Sequence, residues 1–438
     1  MIEDLEDWRR THFSSEISPK LDGLEVIVCG WVQRTRQLGK LIFIVLRDRE
    51  GTLQITVHKN KVTSSLFEKL RKLKTEYVIA VKGVVRASKE APRGVEILPK
   101  EAKILNITNL PLPLDPAGKV PADLDTRLDA RIVDLRRPKS FAIFKIRHAL
   151  LQNIREFFVK KGFIEVNTPK IIATATEGGT ELFPVSYFDR VAYLAQSPQL
   201  YKEELTAAFE KVFEIGPVFR AEEHRTTRHL AELIMVDIEE AFATAEDAMR
   251  ILEELTIYVF QKLKTECAAE LKTLERTLEI PKTPFPRYTY DEILKMLEKD
   301  NIAIPWGEDL PTPALRKIGE QLKGPYFITD WPTKSKPFYI KPRNDNPEVC
   351  ESFDFMWGWL ELASGGTRIH NKELLIERLK SQGLNPESFK YHLQTFDWGM
   401  PPHAGFGLGL ARLLMIICGV NNIRECVLFP RDIDRLTP

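Results

Sequence analysis

Apolar and polar positions alternate in five stretches near the start of the chain. The alternation predicts strands over Leu24–Arg34, Leu41–Arg47, Thr52–His58, Tyr77–Arg86 and Val95–Ile107, the last with a break near Pro99. Asp48-Arg-Glu-Gly51 is a turn signal between the second and third. Between the third and fourth, Leu66, Phe67, Leu70 and Leu73 recur at helical spacing within Ser65–Lys74. Three strands, a helix and two more strands are the order of a small Greek-key barrel of the OB type. Such barrels bind single-stranded nucleic acid on an aromatic and basic face, for which Arg34, Arg36, Phe43 and Gln54 are candidates. Phe43 lies in the apolar run Leu41–Leu46, so a core position fits it as well as a stacking one.

Residues 109–138 are rich in proline and charge and read as a hinge, which divides the chain into 1–108, the hinge and 139–438. A helix follows over Ser140–Lys161, with Ile143, Ile146, Leu150, Ile154, Phe157 and Phe158 in one stripe and Gly162 as its stop. Val212–Glu222 and Ile234–Phe242 alternate again and predict an antiparallel ribbon with a charged tip. Side chains repeat every second residue, so Arg220 shares a face with Glu222, and Asp237 with Glu239. Such a face is costly to bury unless a charged ligand completes it; a solvated, salt-bridged tip is the alternative. A second amphipathic helix is predicted over 245–264, capped by Thr244 and Asp247, with Met249, Leu252, Leu255 and Val259 inward. Residues 270–340 are punctuated by proline and yield no assignment.

Composition narrows the class. At 438 residues and 43% hydrophobic content the chain has room for two or three packed domains. No apolar run is long enough to span a membrane and the start is acidic, which points to the cytoplasm and to no membrane partner. Five cysteines without a CxxC pair argue for reduced thiols and against a structural metal. The net charge of +1 hides an asymmetry, with 20 basic against 14 acidic residues over 1–110 and 43 against 48 in the remainder. A basic first third is compatible with a polyanionic partner.

The glycines of Gly405-Phe-Gly-Leu-Gly409 follow no βαβ unit, and no GxxxxGK[ST] occurs, so neither a dinucleotide fold nor a P-loop is indicated. The run lets a strand and the next helix approach closely and delivers Arg412 to a fixed spot; plain helix–sheet packing is the alternative.

Three blocks together resemble the signature motifs of class II aminoacyl-tRNA synthetases: the region of Pro169, Phe219-Arg220 through Glu239, and Gly405 to Arg412. Ala175-Thr-Glu-Gly-Gly-Thr-Glu-Leu-Phe183, Ser197-Pro-Gln-Leu-Tyr-Lys202 and Phe219-Arg-Ala-Glu-Glu-His224 resemble the archaeal-type aspartyl group within that class, over essentially the whole chain. The resemblance implies an α+β architecture: an N-terminal OB-fold anticodon-binding barrel and an antiparallel six-stranded catalytic sheet flanked by helices, in a homodimer. It implies ATP-dependent activation of aspartate and its transfer to tRNA, with Mg2+ as cofactor.

The residue roles below are likewise what the resemblance implies. Arg220 contacts the α-phosphate, and Arg412 reaches the adenine and γ-phosphate. Glu222, Arg228, His229, Leu230, Glu361 and Gly409 line the ATP site, while Asp354 and Glu361, with Ser364 nearby, hold the metal. Lys202 and Arg368 take the aspartate side-chain carboxylate, with Glu177 and Gln199 near its amino end and Arg220 and Ser364 beside it. Gln33, Arg34, Phe43, Gln54 and Pro92 face the anticodon. Gln33 resembles the form strict for tRNA(Asp) and Pro92 the relaxed form that also charges tRNA(Asn). Two departures stand out: Ala411 where an acidic residue is usual before Arg412, and Leu233 where an aromatic is frequent. A paralogue activating aspartate for a small acceptor and a tRNA-binding regulator are the rival expectations. The N-terminal barrel counts against the first and the retained arginines and carboxylates against the second.

Overall fold

The computed structural model describes residues 2–109, 111–173, 182–223 and 226–438. The chain separates into two compact units, residues 1–113 and 114–438.

In the first unit β1 (Glu25–Leu38), β2 (Leu41–Asp48), β3 (Gly51–His58), β4 (Val78–Ala87) and β5 (Val95–Asn106) close a barrel in the order β1-β2-β3-β5-β4. Alternation fills it: Val26, Val28, Ile42, Ile44, Ile55 and Val57 point inward and are almost wholly buried. The Asp48 carboxylate accepts the Glu50 and Gly51 N–H groups and fixes the β2–β3 turn. The helix Ser64–Arg71, capped by the Thr63 hydroxyl, buries Leu66, Phe67 and Leu70 in the barrel core. The expected break in β5 near Pro99 is an irregularity within one continuous strand. The strand runs on past a register shift opposite Lys82 and Gly83, where the glycine admits the close approach of the Leu98 carbonyl.

The second unit is a sheet with helices. Its strands in chain order are β6 (Ile164–Glu165), β7 (Ile171–Ile172), β8 (Pro184–Tyr187), β9 (Arg190–Leu194), β10 (Lys211–Phe219), β11 (Glu232–Ala241), β12 (Arg287–Thr289), β13 (Pro325–Thr329), β14 (Ser352–Trp357), β15 (Leu360–Thr367) and β16 (His403–Gly409). Strands β7–β9 make a small sheet of their own; the rest form one sheet in the order β12-β13-β14-β15-β16-β11-β10-β6. The six strands from β13 to β10 are antiparallel, as expected. The short edge strands β12 and β6 add parallel pairs that alternation did not reveal, which makes the sheet mixed.

One face of the sheet is covered by the helices Pro138–Lys160, Ala245–Glu266 and Leu410–Cys418. The stripe Ile143, Ile146, Leu150, Ile154 and Phe158 and the inward set Met249, Leu252, Leu255 and Val259 are all buried there. Asp247 accepts the backbone N–H and hydroxyl of Thr244 and so caps the second of these helices. Residues 114–138 of the expected hinge belong to this unit. Arg131 is wholly buried and donates to Asp134 and to the Val427 and Leu428 carbonyls. The unassigned segment 270–340 supplies β12, β13 and the helices Tyr290–Lys299 and Thr312–Gln321, packed in a second core around Tyr326 and Trp331.

Strands β11, β16 and β15 approach closely because glycines face side chains. A Cβ on Gly405 would stand 2.1 Å from the Ile238 carbonyl and 2.5 Å from Glu239. Gly405→Ala is therefore expected to destabilise the protein by about 1–3 kcal/mol, the usual cost of forcing atoms into a packed interior, read as a lower midpoint in urea unfolding.

Candidate active site

Strand register assembles the site. Glu214, Asp237, Gly407, Ser364 and Asp354 are successive cross-strand partners on β10, β11, β16, β15 and β14, so their side chains stand in one row on one face. One step of the pleat away, Glu239, Gly405 and Gly366 form a parallel row. Above these rows lies a cavity of about 250 Å3 lined by Arg220, Arg228, His229, Asp237, Glu361 and Arg412 among others.

At one end the charges are buried and balanced. Lys202, from the helix Gln199–Phe209, is 2% exposed and places its ammonium 3.0 Å from Asp237, 3.5 Å from Glu239 and 3.1 Å from the Phe406 carbonyl. Arg368 donates to both oxygens of Glu239, at 2.9 and 3.3 Å, and to the Gln199 carbonyl oxygen at 3.5 Å, with its guanidinium over the Tyr339 ring. Burial opposes the Arg368 charge, but Glu239 outweighs it and raises the pKa above the ordinary value. The two cations expected to take the aspartate side-chain carboxylate thus have two resident carboxylates, Asp237 and Glu239, as partners.

At the other end cations predominate. Arg412 opens the helix Leu410–Cys418 and reaches back to β15, donating to the Glu361 carbonyl at 2.9 Å with the carboxylate at 3.8 Å. Burial lowers its pKa even so, and Arg220 and Arg228 nearby add to the effect. Against the pull of burial, Arg412 first, then Lys336, and then Arg220 and Arg228 hold the Glu361 carboxyl below its usual range. Burial raises Asp354 instead, although Lys336 stands 2.8 and 3.0 Å from its two oxygens.

Arg220 and Glu222 were expected on the strand, but β10 ends at Phe219. Its last cross-strand partner is Glu232, and beyond that pair the chain loops away. The Arg220 N–H still bonds the Ala231 carbonyl, which keeps its guanidinium over the sheet, 3.8 Å from Glu222. Arg228 donates to the Thr312 hydroxyl and lies over Trp359, and His229 is joined to Thr226. Leu230 and Gly409 line the same cavity, as do Ala411 and Leu233. Glu177 lies outside the described residues, as does Arg225 of the tip.

Sequence reasoning missed Lys336, Thr312 and Tyr339, all in the segment without periodicity. It also missed Glu203, His392 and His403, which meet beneath Gln199 from separate elements. Among the described residues no cluster of three or more His, Cys, Asp or Glu side chains could hold a metal by itself.

On the barrel, Phe43 is half-buried and alternates with the buried Ile42 and Ile44, so the core alternative for it is wrong. Its ring stands on the outer face, in a groove that also takes in Arg34, Arg36, Gln54 and Glu96. Gln54 and Thr56 both donate to the Glu96 carboxylate. Gln33 occupies a register shift between Val32 and Arg34, and Pro92 is exposed in the turn before β5; neither lines the groove.

Residues 123–433 match the family described as tRNA synthetases class II (D, K and N). The chain belongs to the class II tRNA synthetases. In this synthetase residues 26–105 match the OB-fold nucleic acid binding domain. Two curated proteins named aspartate–tRNA(Asp/Asn) ligase are similar to it throughout. That of Archaeoglobus fulgidus is 55% identical, over 97% of this chain and 99% of its own. That of Methanocaldococcus jannaschii is 54% identical, over 98% and 99%. Asparaginyl-tRNA synthetase from Pyrococcus horikoshii, solved with asparaginyl-adenylate, superposes with a TM-score of 0.92 at 34% identity, covering 98% of this synthetase and 100% of that chain. Aspartyl-tRNA synthetase from Entamoeba histolytica does so with 0.84 at 31%, covering 99% and 94%.

The buried histidine below the pocket gives a pH test. Burial opposes charge on His392, but Glu203 and Glu204 flank it and lift its pKa from 6.5 to about 9. A raised pKa stabilises the fold fully below the unfolded value and is lost as pH climbs through the folded one. Unfolding free energy should therefore fall between about pH 6.5 and 9 by on the order of 3 kcal/mol, and His392→Asn should lack that slope in urea titrations.

Proposed function

We propose that this synthetase is an aspartate–tRNA ligase. It joins L-aspartate to AMP at the expense of ATP and passes the aspartyl group to the 3′ end of tRNA(Asp), and of tRNA(Asn) as well. The observation that carries this reading is the pairing of Lys202 and Arg368 with Asp237 and Glu239 beside an arginine-rich cavity. A zwitterionic amino acid with a second carboxylate can exchange into such a network group for group, its ammonium against carboxylates and its carboxylates against cations. The two curated aspartate–tRNA(Asp/Asn) ligases stand at 55% and 54% identity over nearly the whole chain, which supports the same reading.

In the first step an oxygen of the aspartate α-carboxylate attacks the α-phosphorus and pyrophosphate leaves, so no proton need be removed. In the second a terminal ribose hydroxyl attacks the activated carbonyl and AMP leaves. Arg220 meets the charge that builds on the α-phosphate; Arg412, Arg228, His229 and Leu230 line the remainder of the nucleotide. A fixed guanidinium aimed at that position needs no rearrangement as charge develops, which is where its catalytic value lies. Glu177 and Gln199 take the ammonium end of aspartate.

Mg2+ fits a pair of carboxylates better than a full protein cage, because it keeps phosphate oxygens and water among its ligands. Asp354 and Glu361, with Ser364 directly across from Asp354, would hold it and let it neutralise phosphate charge. The barrel groove with Phe43, Arg34 and Gln54 takes the anticodon, each stacked base contributing about 1–3 kcal/mol; Gln33 and Pro92, outside the groove, act on the choice between tRNA(Asp) and tRNA(Asn). The enzyme works as a cytoplasmic homodimer. No helix among the described residues is long and apolar enough to cross a membrane.

Aspartate-dependent exchange of pyrophosphate into ATP with Mg2+ is the defining test, and its absence would overturn the reading. Arg220→Ala should slow that exchange by about a hundredfold or more while leaving tRNA affinity nearly unchanged, as removal of one transition-state donor does elsewhere. Charging purified tRNA(Asp) and tRNA(Asn) with aspartate should give comparable rates. A large preference for tRNA(Asp) would mark the strict form.

A further inference from the structure

The helix Gln199–Phe209 carries Gln199 and Glu203 one turn apart on the same side, and Glu203 is wholly buried. Gln199 has a place at the aspartate ammonium in the function proposed above; Glu203 has none. One oxygen of Glu203 accepts the Gln199 amide N–H at 2.6 Å. The other faces His392 Nε2 at 3.5 Å and His403 Nε2 at 3.6 Å. Both rings are tied down in turn, His392 Nδ1 lying 2.9 Å from Glu204 and His403 Nδ1 2.7 Å from the Pro401 carbonyl. The carboxylate is thus flanked from behind, without a hydrogen bond to either ring, by groups on the helix Lys390–Phe396 and at the start of β16.

On the far side of the amide, the Gln199 carbonyl oxygen accepts from Arg368. A flipped amide would set its NH2 against a guanidinium and its oxygen against a carboxylate, two repulsive contacts where water does not screen them. The amide therefore has one orientation, its oxygen turned towards Arg368 and the cavity that both residues line.

We propose that Glu203 is a positioning residue, which holds the Gln199 amide nitrogen so that the amide oxygen is presented as a pure acceptor to the ammonium group of the bound amino acid. An ammonium has only donors, so an amide free to turn would meet it part of the time with the wrong face. The inference rests on the placing of Gln199 at the ammonium end of aspartate.

Pyrophosphate exchange by the full-length enzyme tests it with two variants. Glu203→Met keeps the length and removes the acceptor, whereas Glu203→Gln keeps a carbonyl oxygen in its place. The methionine variant should raise the KM for aspartate about tenfold, the equivalent of one charge-assisted hydrogen bond, with kcat and the KM for ATP within about threefold. The glutamine variant should stay within about threefold of the parent in all three constants. Equal rises in both variants, or an ATP KM that climbs with that of aspartate, would indicate a structural prop and overturn the proposal.

Gln199→Leu locates any failure. If it raises the aspartate KM and Glu203→Met does not, the positioning role is wrong. If neither moves it, the assignment of Gln199 falls and takes the inference with it. Should Glu203→Met not fold, an exchange of the two side chains carries the test. Gln199→Glu alone sets two carboxylates together and should raise the aspartate KM, and adding Glu203→Gln should restore it. A double variant no better than the single overturns the proposal.

Discussion

Buried charge has to be balanced where it stands, and in the second unit that requirement ties the sheet, the helix Gln199–Phe209 and the pocket together. Glu239 has no exposed surface and meets Arg368 on one side and Lys202 on the other. Removing either cation would strand a carboxylate away from water, which costs far more than the pair contributes as an attraction. Lys202 reaches Asp237 as well, so strands β11 and β16 and the helix above them are held by one network. The floor of the pocket is thus cross-linked by charge pairs between strand and helix. In the function proposed, the pocket's specificity comes from exchanging partners among these charges.

The glycines complete that logic. Gly405 and Gly407 stand opposite Glu239 and Asp237, and a side chain at either would occupy the space that the carboxylates and their cations need. The sequence GFGLG therefore serves two faces of one strand. Phe406 and Leu408 enter the core under the helices, and the missing side chains between them leave the polar face open. The arginine that follows is delivered by the helix that this strand runs straight into.

Much of this was legible in the residues alone. The barrel strands, the β10–β11 ribbon, the two long helices and the cap at Thr244 follow from local pattern, because each depends on neighbours a few positions apart; the six-stranded antiparallel sheet was implied by the resemblance alone. The meeting of Arg220, Arg228, Glu361 and Arg412 was expected from motif resemblance, and the cavity brings them together. Three things could not be read. Alternation continues past Phe219 in the sequence, but a strand ends where its partner does, and β11 begins only at Glu232. The break at Pro99 was legible, but not that it is a register shift opposite Gly83, whose partner across the ladder is distant in sequence. Lys336, Tyr339 and Thr312 come from a proline-broken segment, and their value lies in the distant Asp354, Arg368 and Arg228 beside them.

The cross-strand row of acidic residues has a further consequence for how the chain finds its fold. Should β16 pair with β11 one residue out of place, Phe406 or Leu408 would lie opposite Asp237 in place of Gly407, and the carboxylate would meet an apolar wall with Lys202 out of reach. In most sheets a slip of this kind costs a few misplaced apolar contacts. Here it would also leave several ionised groups without partners in the interior, a penalty of several kcal/mol for each. The charges that define the pocket thus also act as a key for strand alignment, and a chain that has folded at all has, by the same selection, folded with its pocket formed.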